Sequence, residues 1–334
     1  MNQKELQKFI SYLVDNYQVF APQEEEKKVI IKEISSAKTA ALTSQLPFFS
    51  WKKFFVPEKE IMFSFKNSAL IQNGAEKSSQ IALLGVNILD LRSILLYDAV
   101  FANDPYYQKQ RKNTLIIGYG PEVKLTDGAL RKIETEDLKC LPFDIFLYNI
   151  NQGAKDQKYN IFSATEKGKK ILSEIDYKDY TEIKFIGHKY NSFLEEKKNL
   201  RREKLKNNHI QKIWDELGKI CLECGKCAIA CPTCFCFKIN DCPELTEGAG
   251  ERARCWDSCF YSEFSEVAGP VSPAGEKPKF LKNTAQKIHF WYYHKFARIP
   301  DEYNMMGCVG CHRCVEVCPV GINIEEVMEE VEKS

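Results

Sequence analysis

Two cysteine runs constrain this chain more than any other feature. Residues 221–232 read C-L-E-C-G-K-C-A-I-A-C-P and residues 308–319 read C-V-G-C-H-R-C-V-E-V-C-P, so both follow C-x2-C-x2-C-x3-C-P. This is the ligand spacing of cubane [4Fe–4S] clusters. Three thiolates set two residues apart wrap one face of a cube. The fourth, past a short helical turn, points away and reaches the other cube. The expected ligand sets therefore cross: Cys221, Cys224 and Cys227 with Cys318, and Cys308, Cys311 and Cys314 with Cys231. Pro232 and Pro319 end each run with a fixed φ and no N–H to satisfy. A single C-x2-C could equally hold zinc or act as a redox dithiol. Two complete runs, each with its proline, are read as two [4Fe–4S] clusters in preference to zinc or buried free thiols.

Composition narrows the remaining classes. The chain has 334 residues, enough for two domains or more. Lys and Arg number 47 against 46 Asp and Glu, a net charge of +1 that favours neither nucleic acid nor an anionic membrane as partner. Fourteen cysteines, clustered at metal-ligand spacing in a large chain with no signal peptide, read as thiolates in a reducing compartment. The expected location is cytoplasmic. The longest apolar stretch, 81–102, is broken by Asp90, Arg92 and Asp98, which argues against a membrane span.

The expected fold class is α+β: a mixed α/β domain over residues 1–190, a charged linker helix over 191–219, and a two-cluster, ferredoxin-like helical domain over 220–334. Strands are expected at 17–22, 29–34, 54–56, 61–65, 81–86, 114–119, 143–150 and 159–163, where apolar or alternating runs are bounded by Gly, Asn, Asp and Pro. Helices fit 4–14, 89–101, 166–174 and 191–217. No catalytic constellation stands out in the first domain. Gly118-Tyr119-Gly120 is followed by Pro121 and lacks the third glycine of a dinucleotide fingerprint, so it reads as a turn. Cys140 is isolated, and His188 and His209 lie apart from every cysteine cluster. The mixed-sign run E-E-K-K-N-L-R-R-E-K-L-K, at 195–206, reads as a solvated helix.

The insertion between the runs, 232–307, carries five further cysteines: Cys234, Cys236, Cys242, Cys255 and Cys259. A third iron–sulfur cluster is expected there, with structural zinc and free thiols as the alternatives. Cys234, Cys236 and Cys259 are the expected ligands. The fourth position is open among Asp257, Cys255 and Cys242. Cys255 and Cys259 are expected to close a Gly-rich, Arg-bearing turn (Gly248, Gly250, Arg252, Arg254). An aromatic-rich helix over 280–296 is expected to cover the clusters as core, with a structural role for His294. His312 lies inside the second run as a neighbour and not a ligand, since four cysteines suffice. Ile322, Ile324, Val327 and Val331 form an apolar stripe on an acidic C-terminal helix.

Taken together, C-x2-C-G-x-C-x3-C-P-T-C-x-C, R-x-R-x-W-D-S-C, A-G, H-K-F and C-V-G-C-x-R-C-x3-C-P make the chain resemble a known family. It is the iron–sulfur β subunit of cytoplasmic, NAD(P)-linked [NiFe] hydrogenases (sulfhydrogenases), a family that also includes the corresponding iron–sulfur component of anaerobic sulfite reductase. Looser matches are F-A-P at 20–22, K-K-F-F-V-P at 52–57, G-V-N-I-L-D-L at 85–91, N-D-P-Y-Y at 103–107 and N-T-L-I-I-G at 113–118. The chain departs from the family at 118–123, G-Y-G-P-E-V, where members often carry extra cysteines, and at Gly269-Pro270 in place of Gly-Gly. It also departs at Cys255, usually a non-cysteine. The resemblance implies a non-catalytic relay subunit. It would pass single electrons between the small and large subunits of a [NiFe] hydrogenase and an FAD/NAD(P)H-binding subunit. Two alternatives stand beside it: the relay subunit of an anaerobic sulfite reductase, and a structural or regulatory iron–sulfur protein.

Overall fold

A computed structural model describes the chain except residues 68, 72–79, 121, 125–129, 133–134, 152–153, 155, 188–191, 208–211, 245–247, 274 and 334. His188 and His209 lie outside the described residues. The chain divides into two units, Met1–Phe55 with Ala75–Lys189, and Val56–Gly74 with Tyr190–Ser334.

The first unit begins with α1 (Gln3–Asn16), started by a capping box in which the Asn2 side chain accepts from Glu5 N–H while Glu5 reaches back to Asn2 N–H. Leu6, Phe9, Ile10 and Leu13 recur at helical spacing and are all buried. Then come the hairpin β1 (Gln18–Glu25) and β2 (Lys28–Ile34), and β3 (Lys59–Lys66) and β4 (Ala69–Ile71), which belong to the second unit. The first unit resumes with β5 (Ile81–Val86), α2 (Ile88–Val100), α3 (Pro105–Asn113) and β6 (Thr114–Gly120). After these lie a small hairpin, β7 (Glu122–Lys124) and β8 (Leu130–Lys132), α4 (Thr135–Leu138) and β9 (Ile145–Asn149). The unit ends with β10 (Tyr159–Ser163), α5 (Glu166–Glu174) and β11 (Thr181–Glu182). Seven strands make one sheet in the order β11-β10-β9-β6-β5-β1-β2, in which β1, β5, β6 and β9 run parallel. Every residue of β6 is buried, as expected where a parallel sheet is covered on both faces.

Two sequence expectations fail here and one helix goes unforeseen, each for a local reason. Residues 54–56 form no strand: Ser50 caps a 3-10 turn over Trp51–Phe54, and Phe55 and Val56 are buried beyond it. Pro57 follows at once and has no N–H for a ladder. Gly118-Tyr119-Gly120 is the end of β6 and not a turn. A Cβ on Gly118 would sit 2.4 Å from Phe146 Cδ2, so the glycine serves the close approach of that ring. Helix α3 was unforeseen, although Asp104 caps it and Pro105 occupies its first turn.

The second unit contains α6 (Ser192–Asn207), α7 (Lys212–Ile220), α8 (Lys226–Ala230), β12 (Phe237–Pro243) and β13 (Ala249–Trp256). It continues through α9 (Thr284–Tyr293), a π turn over His294–Arg298, α10 (Ile299–Tyr303), α11 (Arg313–Glu316) and α12 (Ile324–Lys333). Strands in the order β12-β13-β3-β4 form an antiparallel sheet. The expected Arg-bearing turn is thus β13. Its two arginines pair across the ladder, Arg252 with Asp241 at 2.6 Å and Arg254 with Glu60 at 2.6 Å, which holds an extended backbone in place of a turn. The charged run is not a solvated linker over its second half. Leu205 is buried, Arg201 pairs with Glu332, and Arg202 and Lys206 pair with Asp301 at 2.9 and 2.8 Å. Among the described residues, no helix is long and apolar enough to cross a membrane.

Candidate metal centre

The two cysteine runs fold as repeats of one loop. In each, the residues on either side of the second cysteine turn left-handed: Glu223 (φ 52) and Gly225 (φ 71) around Cys224, Gly310 (φ 71) and His312 (φ 57) around Cys311. This turn aims backbone N–H groups inward as an anion-holding concavity. Glu223 N–H donates to Cys221 Sγ at 3.5 Å, and Gly310 N–H donates to Cys308 in the same way. The two non-glycine residues are held in this strained region by their side chains. Glu223 accepts from Thr284 Oγ1 and Lys287 Nζ, both at 2.6 Å, and His312 Nε2 lies 3.1 Å from Glu325.

The fourth cysteine of each run is near thiols of the other run, Cys318 in one cavity with Cys221, Cys224 and Cys227, and Cys231 within electrostatic reach of Cys308 and Cys314. Burial raises the Cys221 thiol, and the adjacent Cys224 and Cys318 add to the rise. Burial and the proximity of Cys221, Cys224, Cys231 and Cys318 push Cys227 up to about 12. Cys314 is raised by burial and then by Cys231, Cys308 and Cys311. Thiols crowded this closely keep their protons until a cationic group draws them off.

A cavity with an empty volume of about 550 Å³, part of it open to solvent, is lined by Cys221, Cys224, Cys227 and Cys318, with Cys314 at its side. Phe260, Ile288, Trp291 and Tyr292 supply apolar wall. Trp291 Nε1 and Tyr292 Oη are buried without a hydrogen-bond partner among the described residues. Tyr292 feels Cys314 and Cys308 of one set and Cys227 and Cys318 of the other. The donor set and the two orphaned N–H and O–H groups fit an iron–sulfur cluster, whose sulfurs accept such bonds.

Cys231 is set apart from the other ligand-run cysteines. Burial would raise its thiol, but Cys234, the Lys295 ammonium and Thr233 hydrogen-bond to it and hold it well below the usual range. Lys295 Nζ lies 3.0 Å from Cys231 Sγ, 3.0 Å from Thr233 Oγ1 and 3.2 Å from Gly307 O, and 5.0 Å from the Trp291 ring centre. Sequence reasoning placed Trp291 and Tyr292 in the covering helix and Lys295 in the H-K-F motif, but gave none of them a role of its own. The signal available was a lysine embedded in the run F-W-Y-Y-H-K-F, where a charge must either be solvated or find a buried acceptor.

The insertion cysteines fall into two groups. Cys234 donates to Cys231, which together with burial holds its own proton on. Buried Cys259 is raised by burial and by the nearby Cys236 and Cys227. Asp257 adjoins this pair: its N–H donates to Cys236 O at 3.0 Å, and its carboxylate accepts Ser258 N–H at 2.8 Å. Cys242 stands six residues beyond Cys236 on an extended strand, roughly 20 Å away, out of reach of any cluster that Cys236 holds. Cys255 lies on β13 between Lys238 and Lys59. Cys140 is half-buried in the first unit. His294 is pushed down to about 4 by burial and by the Lys295 and Arg298 charges, and packs against Phe235 and Phe290 as a neutral ring.

Residues 220–322 match the family described as a 4Fe-4S dicluster domain, so the second unit carries [4Fe–4S] chemistry and the chain is an iron–sulfur protein of the electron-transfer class. Sulfhydrogenase 2 subunit beta of Pyrococcus furiosus is 27% identical over 334 residues, covering 97% of this chain and 95% of that protein. The resemblance read from the cysteine motifs therefore extends through the first unit as well. No solved structure matches the chain.

Proposed function

We propose that this chain is the electron-relay subunit of a cytoplasmic multisubunit hydrogenase, passing single electrons between a [NiFe] module and a subunit that binds FAD and NAD(P)H. The carrying observation is the crossing of the two runs, with Cys318 beside Cys221 and Cys227 and Cys231 beside Cys308 and Cys314. This supports one [4Fe–4S] cluster on Cys221, Cys224, Cys227 and Cys318 and a second on Cys308, Cys311, Cys314 and Cys231. When bound, such clusters supply one-electron redox chemistry. The chain's own residues exclude water through Phe260, Ile288 and Trp291, donate N–H groups to thiolate sulfur, and anchor the strained loops through Glu223 and Glu325. Similarity over nearly the whole chain to a sulfhydrogenase β subunit supports the hydrogenase partnership.

Cys236, Cys259 and Asp257 support a third centre, with Cys234 as its further ligand on release from Cys231. Cys259→Ser is expected to lower iron by one cluster's worth, about four atoms per chain, while the EPR signals of the other two centres persist. Unchanged iron would remove Cys259 from the ligands.

The partnership is tested by anaerobic purification from the native host with metal analysis. Co-purifying nickel supports the hydrogenase reading. Sirohaem in its place would assign the chain to a sulfite reductase. Centres that dithionite cannot reversibly reduce would make them structural or regulatory.

A further inference from the structure

The two crossing cysteines occupy equivalent places in the repeated loops, yet their surroundings differ in charge. Cys318 Sγ receives a backbone N–H, that of Ile322, at 3.3 Å. Cys231 Sγ receives the Lys295 ammonium at 3.0 Å. The buried lysine near the first run, Lys287, is matched by Glu223 at 2.6 Å, so its charge is neutralised locally. Lys295 has no carboxylate partner among the described residues. Its remaining acceptors, Thr233 Oγ1, Gly307 O and the Trp291 ring, carry no formal charge.

The site is also built to hold that ammonium still. Lys295 sits inside the π turn of His294–Arg298, an irregularity that recurs at functional positions. Gly307, whose carbonyl accepts from Nζ, donates its own N–H to Lys295 O at 3.0 Å. Lys295 is 3% exposed, so bulk solvent does not compete for its donors. Burying an ammonium this completely carries a large desolvation cost. Holding the loop alone would not require a charge.

We propose that Lys295 is a positioning residue that raises the reduction potential of the cluster held by Cys308, Cys311, Cys314 and Cys231 above that of its neighbour, so that an electron entering the pair comes to rest on that side. The proposal rests on the ligand reading above. Reduction adds one negative charge to the thiolate-bound centre. A fixed positive charge 3.0 Å from one of its thiolates stabilises the reduced state more than the oxidised one. A charged donor is also roughly twice as strong as the neutral N–H that serves Cys318.

The test uses the Cys259→Ser chain, which lacks the proposed third centre, purified anaerobically, with iron and sulfide counted and the two remaining clusters titrated by EPR against potential. Cys311→Ser identifies which signal belongs to the second set. Lys295→Met removes charge and hydrogen bonds together, whereas Lys295→Gln keeps N–H donors and removes the charge. Both are expected to retain iron and to lower the reduced-to-oxidised ratio of the Cys311-linked signal at least about ten-fold at fixed potential, about 59 mV for one electron. The other signal should move less than about three-fold. Lys295→Arg, which keeps the charge, should restore most of the shift. Neutral variants that leave the Cys311-linked midpoint in place would overturn the proposal. So would loss of iron from both Met and Gln variants but not from Arg, which would make Lys295 a structural strut. A wild-type chain without iron and sulfide would instead remove the ligand reading itself.

Discussion

Stripping iron and sulfide from the anaerobically purified chain is expected to unfold the second unit and leave the first intact. The core of the second unit is built on its thiols: Cys221, Cys227, Cys308 and Cys314 pack against the same cluster of side chains as Trp214, Tyr292 and Met328. Without a metal group the core keeps two buried donors, Trp291 Nε1 and Tyr292 Oη, with no acceptor, at about 1–3 kcal/mol each. Together they take up a large part of the stability of a domain, about 5–15 kcal/mol. Metal binding and folding are expected to be coupled there. The core of the first unit draws on α1, the strands of its sheet and α5, and among the described residues of that cluster there is no cysteine. Limited proteolysis with mass spectrometry should find residues 190–334 cut rapidly after chelation while fragments of 1–55 and 80–187 persist. Far-UV circular dichroism should lose helix and keep strand signal. Equal resistance of both units before and after chelation would defeat this account.

How far the sequence carried the fold follows from where its constraints are local. The capping box at Asn2 and Glu5, the apolar stripe of α1 and the hydrophobic runs of β5 and β6 depend on near neighbours, and the expected elements formed there. Pairings across long separations were not visible. β13 joins β3 across almost two hundred residues through Arg254 and Glu60, so the hairpin at 59–71 belongs with the insertion strands although it lies far from them in sequence. Such contacts are decided by side chains that meet only after folding, and an arginine on a Gly-rich stretch reads locally as turn. The metal centre was legible in its thiols because ligand spacing is itself a local constraint. The side chains packed around the thiols were less so: Lys295 follows Cys231 by 64 residues, inside the H-K-F motif but with nothing to mark its contact, and Tyr292 carries no motif. A buried charge in an aromatic helix was the available clue.

Replacing Gly225 with alanine should cost the first cluster, and the reason can be separated from ordinary backbone strain. Gly225 has φ +71, and an L side chain there costs about 1–2 kcal/mol. Its Cβ would also lie 2.6 Å from Tyr261 Cε1 and 2.9 Å from Ser258 Oγ. Tyr261 is 37% exposed, and its ring can swing aside at little cost. Ser258 cannot: it is fully buried, and its Oγ accepts Phe260 N–H at 3.3 Å, a bond worth about 1 kcal/mol. Relief must therefore come from the loop between Cys224 and Cys227, the segment that sets the spacing of two thiols. Gly275 is the control, since its φ is +82 and nothing lies within 4 Å of its Cβ position. Gly275→Ala carries the strain without the clash and should keep its full iron complement. Gly225→Ala should lose about four irons per chain and the EPR signal of the Cys221 set, with destabilisation of about 2–4 kcal/mol in urea. Equal iron in the two variants would show that the loop tolerates the added methyl, and that Ser258 does not fix the position of the first ligand turn.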